Sequence, residues 1–517
     1  MKRLTGSILA YLVCLAISGC HQPIHQPPMS AASQAPQQTA QVPTQQATSK
    51  QQLAPWEQIP VPKLHEFKPH QPTRIQLKNG IVVFLQEDHE LPFVSGSVVI
   101  PGGERDVDAP KTGLVGMYGE AWRTSGTEKM NGDAMDDFLE AKAAHIETGG
   151  DIDSTQLSWE SLKGDSDQVF DLAMDLLFHP KFSAEKLQLA QQQAAAGIAR
   201  RNDDEGAIAE RESSKLVFGA NSPYTRQPEF ATIGAVSVAD MQAWHDRSLK
   251  GKLLVAISGD FDAATMEAKI RAIFERLPPA AATLPRHDDF KSASAGVYFI
   301  NKDDVNQSNI QIVGLGTQRN NPDVPTLSVM NEILGGGFAS RLFQKVRTEQ
   351  GLAYGVGGGL GFDYDHPGAF RVEVMTKSPS TVDATKSAMT EIKGLTAQAF
   401  TDVELKRAKD AMLNSFLFRY DTRAKVLAEC VKLEFYGYPA NYLETYRAAL
   451  EKVTLADLKR VADKYIQPAK LAILVVGNES EIKPGLDALD MGAVHAVDIT
   501  IKQPQGLAGT SGGAAMP

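Results

Sequence analysis

The chain has 517 residues, a formal net charge of −10, a hydrophobic fraction of 43% and three cysteines. At about 100–200 residues per domain, this length allows roughly two to four domains. The ordinary hydrophobic fraction excludes a wholly disordered chain, and the few cysteines exclude a disulfide scaffold. The acidic balance argues against a nucleic-acid-binding protein, which would normally carry a basic face.

The first 20 residues are predicted to be a lipoprotein signal peptide. A short basic start precedes an apolar core at residues 8–17, and two small residues precede Cys20. A charged start, a short apolar core and small residues before a cut site are typical of a secretory signal. Residues 17–20 resemble a bacterial lipobox, which makes Cys20 the expected lipidation site. The alternative is a soluble secreted protein in which this cysteine stands by chance.

The predicted anchor places the chain on a bacterial membrane, facing the periplasm. Several acyl chains would hold the protein stably at the membrane, whereas a single chain binds only marginally. By analogy with enterobacterial sorting, His21 in place of Asp after the cysteine favours the outer membrane. After residue 20 no apolar run reaches the roughly 18–20 residues that a membrane-spanning helix needs.

Residues 21–61 are predicted to be a flexible tether. They are rich in Gln, Pro, Ala, Thr and Ser and hold almost no large aliphatic side chains, so burial cannot offset the entropy of ordering. The Gly- and Ala-rich residues 503–517 are predicted to be a flexible tail for the same reason.

The chain between these segments is an internal repeat. Three separate motifs recur at an offset of 217 or 218 residues: 182–183 with 400–401, 236–241 with 453–458, and 252–259 with 470–477. A constant offset across separate motifs is hard to obtain by chance. The repeat predicts two homologous domains, at residues 62–280 and 294–502, joined by a linker at residues 281–293.

Strands and helices are predicted to mix irregularly within each domain, which favours an α+β fold. Apolar runs predict strands at residues 80–85 and 93–100. Helices are predicted at residues 113–123, 133–148 and 183–218, the last with Ser183 as its N-cap.

Further motifs along both domains resemble the pitrilysin/insulinase family of zinc peptidases, which includes mitochondrial processing peptidase. The motifs are Asn79–Val83, Gly102–Asp106, Gly113-Leu114, Ser125–Thr127, Gly335–Leu342 and Gly351–Tyr354. The resemblance covers about residues 70–500. It implies two homologous domains of the metallopeptidase type, each a mostly antiparallel sheet flanked by helices.

The zinc-binding positions of the family are altered in this chain. Active members carry His-x-x-Glu-His on the first helix; the two histidines share one helical face and the metal, and the glutamate is the general base. In register, the histidine positions fall on Gly116 and Glu120, and the glutamate falls on Gly119. A further glutamate ligand of the family falls on Ala196 or Gly197.

The chain is therefore expected to bind no catalytic zinc and to need no cofactor of its own. Glycine and alanine have no ligand atom, and Glu120 alone cannot replace the about three protein ligands of a catalytic site. His145, His179 and His245 are scattered single residues, expected to be structural or at the surface. These losses disfavour an active peptidase with an unorthodox metal site.

Arg347 and Tyr354, seven residues apart, match the family's C-terminal motif. From the pattern alone, Arg347 ends an exposed helix, Gly351 is the residue after the helix cap, and Tyr354 packs on the following strand. The resemblance implies a different role, in which this pair reaches into a zinc site. There the tyrosine hydroxyl donates to the oxyanion and the arginine holds the substrate backbone.

Two other segments are interpreted through the resemblance. The glycine-dense residues 355–361 lack the following helix of a phosphate-binding loop, so they are predicted to be a strand that needs close backbone approach. Residues 151–155 stand where active members have a substrate-pairing edge strand, usually with Asn at the position of Asp153.

The sequence predicts a lipid-anchored, non-zinc subunit of a periplasmic peptidase complex. In this interpretation a separate His-x-x-Glu-His subunit holds the zinc, the two form a heterodimer, and peptides are the substrate. This chain is then a metalloendopeptidase family member that is inactive without its partner. The alternative is a catalytically inert structural or peptide-binding lipoprotein.

Overall fold

Two six-stranded sheets organise the chain in a computed structural model, which describes residues 68–279 and 289–503. The predicted signal peptide with Cys20, the tether, residues 281–288 of the linker and residues 504–517 of the tail lie outside the described residues. Within the described ranges, no helix combines the length and the apolar character that crossing a membrane requires.

The first half builds the first sheet. Its strands are β1 (Thr73–Gln76), β2 (Val82–Glu87), β3 (Phe93–Pro101), β4 (His145–Gly150), β5 (Ser154–Leu162) and β6 (Leu254–Gly259). They lie in the order β1-β2-β6-β3-β5-β4, with β2 and β6 parallel and the other neighbours antiparallel. Its helices are α1 (Leu114–Ser125), α2 (Gly132–Ala141), α3 (Ser166–Phe178), α4 (Ala184–Arg200), α5 (Glu205–Phe218), α6 (Phe230–Gly234), α7 (Val238–Ser248) and α8 (Ala263–Phe274).

The second half builds the second sheet and a separate strand pair. Its strands are β7 (Gly296–Asn301), β8 (Gln307–Leu315), β9 (Thr317–Gln318), β10 (Gly355–Leu360), β11 (Phe362–Asp363), β12 (Ala369–Lys377), β13 (Ala472–Gly477) and β14 (Val494–Ala496). The sheet order is β10-β12-β8-β13-β7-β14, and β9 pairs with β11. The helices are α9 (Val324–Gly335), α10 (Thr381–Ala397), α11 (Asp402–Arg419), α12 (Arg423–Phe435), α13 (Tyr442–Lys452) and α14 (Leu455–Tyr465). A π-helix spans Phe343–Glu349.

This architecture confirms the α+β prediction, with two mostly antiparallel sheets flanked by helices. One predicted helix is partly wrong: residues 133–148 form α2 and then the first part of β4. Ile146 is buried between the exposed His145 and Glu147, which is the two-residue period of a half-buried strand. The predicted helix at 183–218 is two helices, because Asp204 caps a new helix by accepting from the Ala207 N–H at 2.7 Å.

The repeated motifs occupy equivalent elements of the two halves. Ser183 and Thr401 are the side-chain N-caps of α4 and α11. The second motif forms the capping boxes Ser237–Asp240 of α7 and Thr454–Asp457 of α14. The third forms the interior strands β6 and β13. The motifs that recur in the sequence are therefore helix N-termini and buried strands. Both are specified by short stretches of sequence.

The continuous apolar runs in the central strands are explained by burial on both faces. In β2, Val83 and Leu85 face the large core of the first half, while Val82 and Phe84 face α12 from the second half. In β13, the face that turns away from the second core is covered by α5 from the first half. Since neither face meets water, the polar positions of an ordinary half-exposed strand are absent.

Each half packs one helix on the sheet of the other half: α5 lies on the second sheet and α12 on the first. Ile208 and Ala209 of α5 pack on the second sheet, and Leu427 and Cys430 of α12 pack on the first sheet. Fully burying one large aliphatic side chain contributes about 1.5–3 kcal/mol. Each half thus completes the burial of the other half's sheet.

Candidate functional site

The altered zinc positions lie on two helices of the first half that pack against each other, α1 and α4. Gly116 and Glu120 are exposed on α1, and Ala196 and Gly197 are exposed on α4. A Cβ atom added at Gly116 or Gly197 would meet nothing within 4 Å. The structure therefore leaves open space at these positions but supplies one carboxylate, that of Glu120, as a metal-capable group.

Gly119, the position of the expected general base, differs from its neighbours because it is buried. A Cβ atom there would lie 2.9 Å from the Gly149 Cα and 3.1 Å from the Gly150 nitrogen of β4. The Thr148 hydroxyl also donates to the Gly119 carbonyl oxygen at 2.6 Å. The backbone of α1 thus lies directly on β4, and a glutamate at this position would require the helix to move.

The first half does not fit a catalytic zinc ion. Such a site needs about three protein ligands, and four of the five matched positions carry no ligand atom. Across residues 68–279 and 289–503, no group of three or more His, Cys, Asp and Glu side chains is placed to hold a metal ion.

The single histidines are dispersed in the first half. His245 is buried against α1, with its Nδ1 2.9 Å from the Tyr118 hydroxyl, and the Trp122 ring lies edge-on to it. Burial lowers the pKa of His245 to about 4, so the ring is neutral at physiological pH. His145 is exposed on β4, and His179 pairs with Asp175 at 3.1 Å.

Arg347 stands on the exposed side of the π-helix in the second half. Its guanidinium carbon lies over the Phe343 ring, 4.6 Å from the ring centroid. Gly351 ends the helix with φ +63°, and its N–H donates to the Arg347 carbonyl oxygen at 3.1 Å. A positive φ favours glycine, which explains this residue at the turn.

Tyr354 follows this turn directly before β10. Its N–H donates to the Met375 carbonyl oxygen at 2.8 Å, so its backbone belongs to the sheet. Ala353 is buried in the second core, whereas Tyr354 is 73% exposed. The tyrosine does not pack on the strand, and its hydroxyl is presented to solvent. The structure thus brings Arg347 and Tyr354 to the two ends of one short turn.

The prediction that residues 151–155 form an edge strand is wrong. The edge of the first sheet is β4, and residues 151–153 form the turn that joins β4 to β5. The Asp151 carboxylate stabilises this turn by accepting from the Ser154 N–H at 2.8 Å. Asp153 therefore points into the protein, where it is 5% exposed, rather than along an edge.

Asp153 belongs to a polar junction between the halves that the sequence did not reveal. The Tyr436 hydroxyl of the second half donates to its carboxylate. Burial and the neighbouring Asp151 carboxylate raise the pKa of Asp153 to about 7. Nearby, Arg105 donates to Asp365 at 2.7 Å, again across the two halves.

The glycine-dense segment forms a strand, β10, as predicted, and the structure places this strand at the edge of the second sheet. At Gly358, where φ is +132°, a Cβ atom would lie 2.0 Å from the Arg371 carbonyl oxygen of β12. At Gly359 it would lie 2.5 Å from the Asn331 side chain. Close approach of β12 and α9 thus accounts for these glycines.

Comparison with known proteins supports one family. Residues 235–412 match the family model described as "Peptidase M16 inactive domain". The chain is 24% identical to "Non-peptidase homolog YmxG" of Helicobacter pylori over 419 residues, which are 78% of this chain and 93% of that protein. These findings support the peptidase M16 family.

Two further comparisons cover similar shares of this chain. The chain is 21% identical to the "Probable mitochondrial-processing peptidase subunit beta, mitochondrial" of Arabidopsis thaliana, over 78% of this chain and 77% of that protein. The crystal structure of a peptidase M16 inactive domain from Pseudomonas fluorescens has the same fold. It aligns with a TM-score of 0.71 and 23% identity, covering 79% of this chain and 98% of that one.

The M16 model match divides the two candidate regions. It begins at residue 235 and ends within α11, so it contains Arg347, Gly351 and Tyr354. The altered positions on α1 and α4 lie outside it. The segment named for the inactive M16 domain is thus the one that presents the exposed arginine and tyrosine.

Proposed function

We propose that this chain is the non-zinc subunit of a peptidase complex and supplies Arg347 and Tyr354 to the zinc site of a partner. The partner is a family member with an intact His-x-x-Glu-His motif, and the substrates are peptides. The observation that carries this proposal is the exposure of Tyr354, 73%, on a turn fixed by the sheet. A tyrosine exposed in this way can contact a partner with both its apolar ring and its polar hydroxyl.

Within the complex, the Tyr354 hydroxyl donates a hydrogen bond to the oxygen that becomes negatively charged as the peptide bond is attacked. Such a donor accelerates the reaction because it meets a charge that develops only in the transition state. Arg347, held over Phe343, binds the substrate backbone through its guanidinium. Neither residue needs a metal bound to this chain.

The test of this function begins with the partner. Co-purification from native membranes identifies the His-x-x-Glu-His protein, and the two chains are then purified separately and mixed. We expect substoichiometric zinc in this chain, no peptide cleavage by it alone, and chelator-sensitive cleavage by the mixture. One tightly held zinc per chain, or activity that follows this chain through every purification step, contradicts the proposal.

The location of the complex is proposed from the sequence. The lipobox-like residues 17–20 support lipidation at Cys20 and attachment to the outer membrane, with the folded chain facing the periplasm. Cys20→Ala is expected to release the protein from the membrane fraction or to leave an unprocessed precursor. A variant that is processed at the same place and still sediments with membranes contradicts the anchor.

A second candidate function is an inert structural or peptide-binding lipoprotein. The similarity to a relative named as a non-peptidase homolog favours it. In that case the fully assembled complex would retain its kinetics when Arg347 and Tyr354 are both replaced. The matched control is Tyr298→Phe, because Tyr298 lies on β7, outside the Arg347–Tyr354 turn.

A further inference from the structure

The backbone segment that carries Tyr354 is held at two points by adjacent residues of β12. The Thr376 hydroxyl donates to the Leu352 carbonyl oxygen at 2.6 Å. The Tyr354 N–H donates to the carbonyl oxygen of Met375 at 2.8 Å. These two bonds fix the three residues that lead from the Gly351 turn into β10.

Thr376 is a polar residue at the end of an apolar stripe. Phe370, Val372 and Val374 precede it at every second position of β12, and all four side chains are buried. Valine would fill this place with nearly the same shape and without a buried polar group, which costs free energy unless it is hydrogen-bonded. The hydroxyl is 2.6 Å from the Leu352 carbonyl oxygen and 3.4 Å from that of Lys377. Its specific effect is therefore to hold Leu352.

Holding Leu352 determines the direction of the tyrosine side chain. Ala353, between the two bonds, is 7% exposed and packs in the second core. Neighbouring side chains of an extended segment point to opposite sides, so Tyr354 points outward. The Leu352 N–H also donates to the Val346 carbonyl oxygen at 2.9 Å, so without the Thr376 bond Leu352 keeps its link to the helix and loses its side-chain link to β12.

We propose that Thr376 is the positioning residue for Tyr354, acting through the Leu352 carbonyl group. It does not touch the substrate; it fixes the place at which the phenol is presented to the partner's site. Because this role depends on the proposed function of Tyr354, the two must be tested together.

Thr376→Val removes the hydroxyl and keeps the shape of the side chain. In the reconstituted complex we expect kcat to fall about 10-fold with KM unchanged, since a misplaced catalytic group loses rate without losing substrate. Thr376→Ser keeps the hydroxyl and should restore most of the rate. Unchanged kcat in Thr376→Val, measured in a complex where Tyr354→Phe is impaired, overturns the positioning role and leaves the proposed function intact.

A double variant separates positioning from general damage. If Thr376 acts through Tyr354, Thr376→Val should cause no further loss of kcat in the Tyr354→Phe background. Losses that multiply in the double variant indicate a structural effect and overturn the inference. Unchanged kcat in Tyr354→Phe alone overturns the proposed function itself.

Hydrogen exchange provides a measurement that needs no partner. In the purified chain, Thr376→Val and Thr376→Ala should accelerate amide exchange in a peptide spanning residues 350–356, with little change elsewhere. Unchanged exchange in this peptide contradicts the inference. If neither variant folds while Thr376→Ser does, Thr376 is required for the fold itself and the positioning role is likewise overturned.

Discussion

Both halves pack a helix closely on the edge strand of their sheet, α1 on β4 and α9 on β10, and they differ in what they expose beside that strand. In the first half, α1 lies so close to β4 that Gly119 touches the backbone of Gly149 and Gly150. In the second half, α9 lies as close to β10, where a Cβ atom at Gly335 would be 2.5 Å from the Gly358 carbonyl oxygen, and the turn at Gly351 directs Tyr354 into solvent. Both edge strands are packing contacts, and the second half also presents an exposed arginine and an exposed tyrosine in the segment that precedes β10. The two copies of the repeat therefore share the close packing of a helix on the edge strand and differ in the side chains exposed around it.

The difference also appears on the buried side of α1. Tyr118, Trp122 and His245 form an aromatic cluster beneath it, with His245 only 2% exposed. A helix whose inner face is filled in this way contributes to the core. The comparison therefore predicts that changes at α1 affect stability, whereas changes at Tyr354 affect activity.

The largest expected effect on stability comes from acid acting on His245. The unfolded chain binds this proton near pH 6.5 and the folded chain near pH 4, so stability is full above 6.5 and falls as the pH drops to 4. The loss at this site is about 3 kcal/mol. Unfolding free energies measured by denaturant at pH 7 and pH 4.5 test this. His245→Phe should flatten the slope in this window, and an unchanged slope contradicts the structural role of the ring.

The next effect compares two glycines of α1. Gly119→Ala is expected to destabilise the protein by about 1–3 kcal/mol, because its Cβ would press on β4. Gly116→Ala is the matched control: its Cβ meets open space, and alanine in a helix is about 0.5–1 kcal/mol more favourable than glycine. Chemical denaturation of both variants measures the difference. Equal unfolding free energies for the two variants would contradict the claim that Gly119 packs against β4 while Gly116 faces open space.

An effect of opposite pH dependence is expected at the junction between the halves. The folded state holds the Asp153 proton until pH about 7, whereas the unfolded state releases it near 3.8. The contribution of Asp153 is therefore full below 3.8 and is lost as the pH rises toward 7. Asp153→Asn keeps an acceptor for Tyr436 and removes the ionisation, so its stability relative to the unsubstituted protein should increase steadily as the pH rises from 4 to 8. A stabilisation that does not grow with pH contradicts the buried, protonated carboxyl group.

The sequence predicted the parts of this protein that depend on local signals. The capping boxes at Ser237–Asp240 and Thr454–Asp457 revealed the repeat, because a cap is specified within four residues. The residue types at Gly116 and Ala196 likewise carry no ligand atom, which is a statement about the sequence that needs no structure.

Contacts between distant residues could not be predicted in the same way. The Tyr436–Asp153 hydrogen bond joins residues 283 positions apart, and the contact of Gly119 with β4 depends on how a helix settles on a sheet. The packing of α5 on the second sheet and of α12 on the first sheet was not predicted either. The continuous apolar runs of β2 and β13 did indicate that both faces of these strands are buried.

The most direct test of the division between the halves is Tyr354→Phe in the reconstituted complex. The substitution removes one hydroxyl from a side chain that is 73% exposed, so folding and partner binding should be unchanged. If that hydroxyl serves the oxyanion, kcat for peptide hydrolysis should fall by roughly 10²-fold. An assembled complex whose kcat is unchanged by Tyr354→Phe would contradict the account.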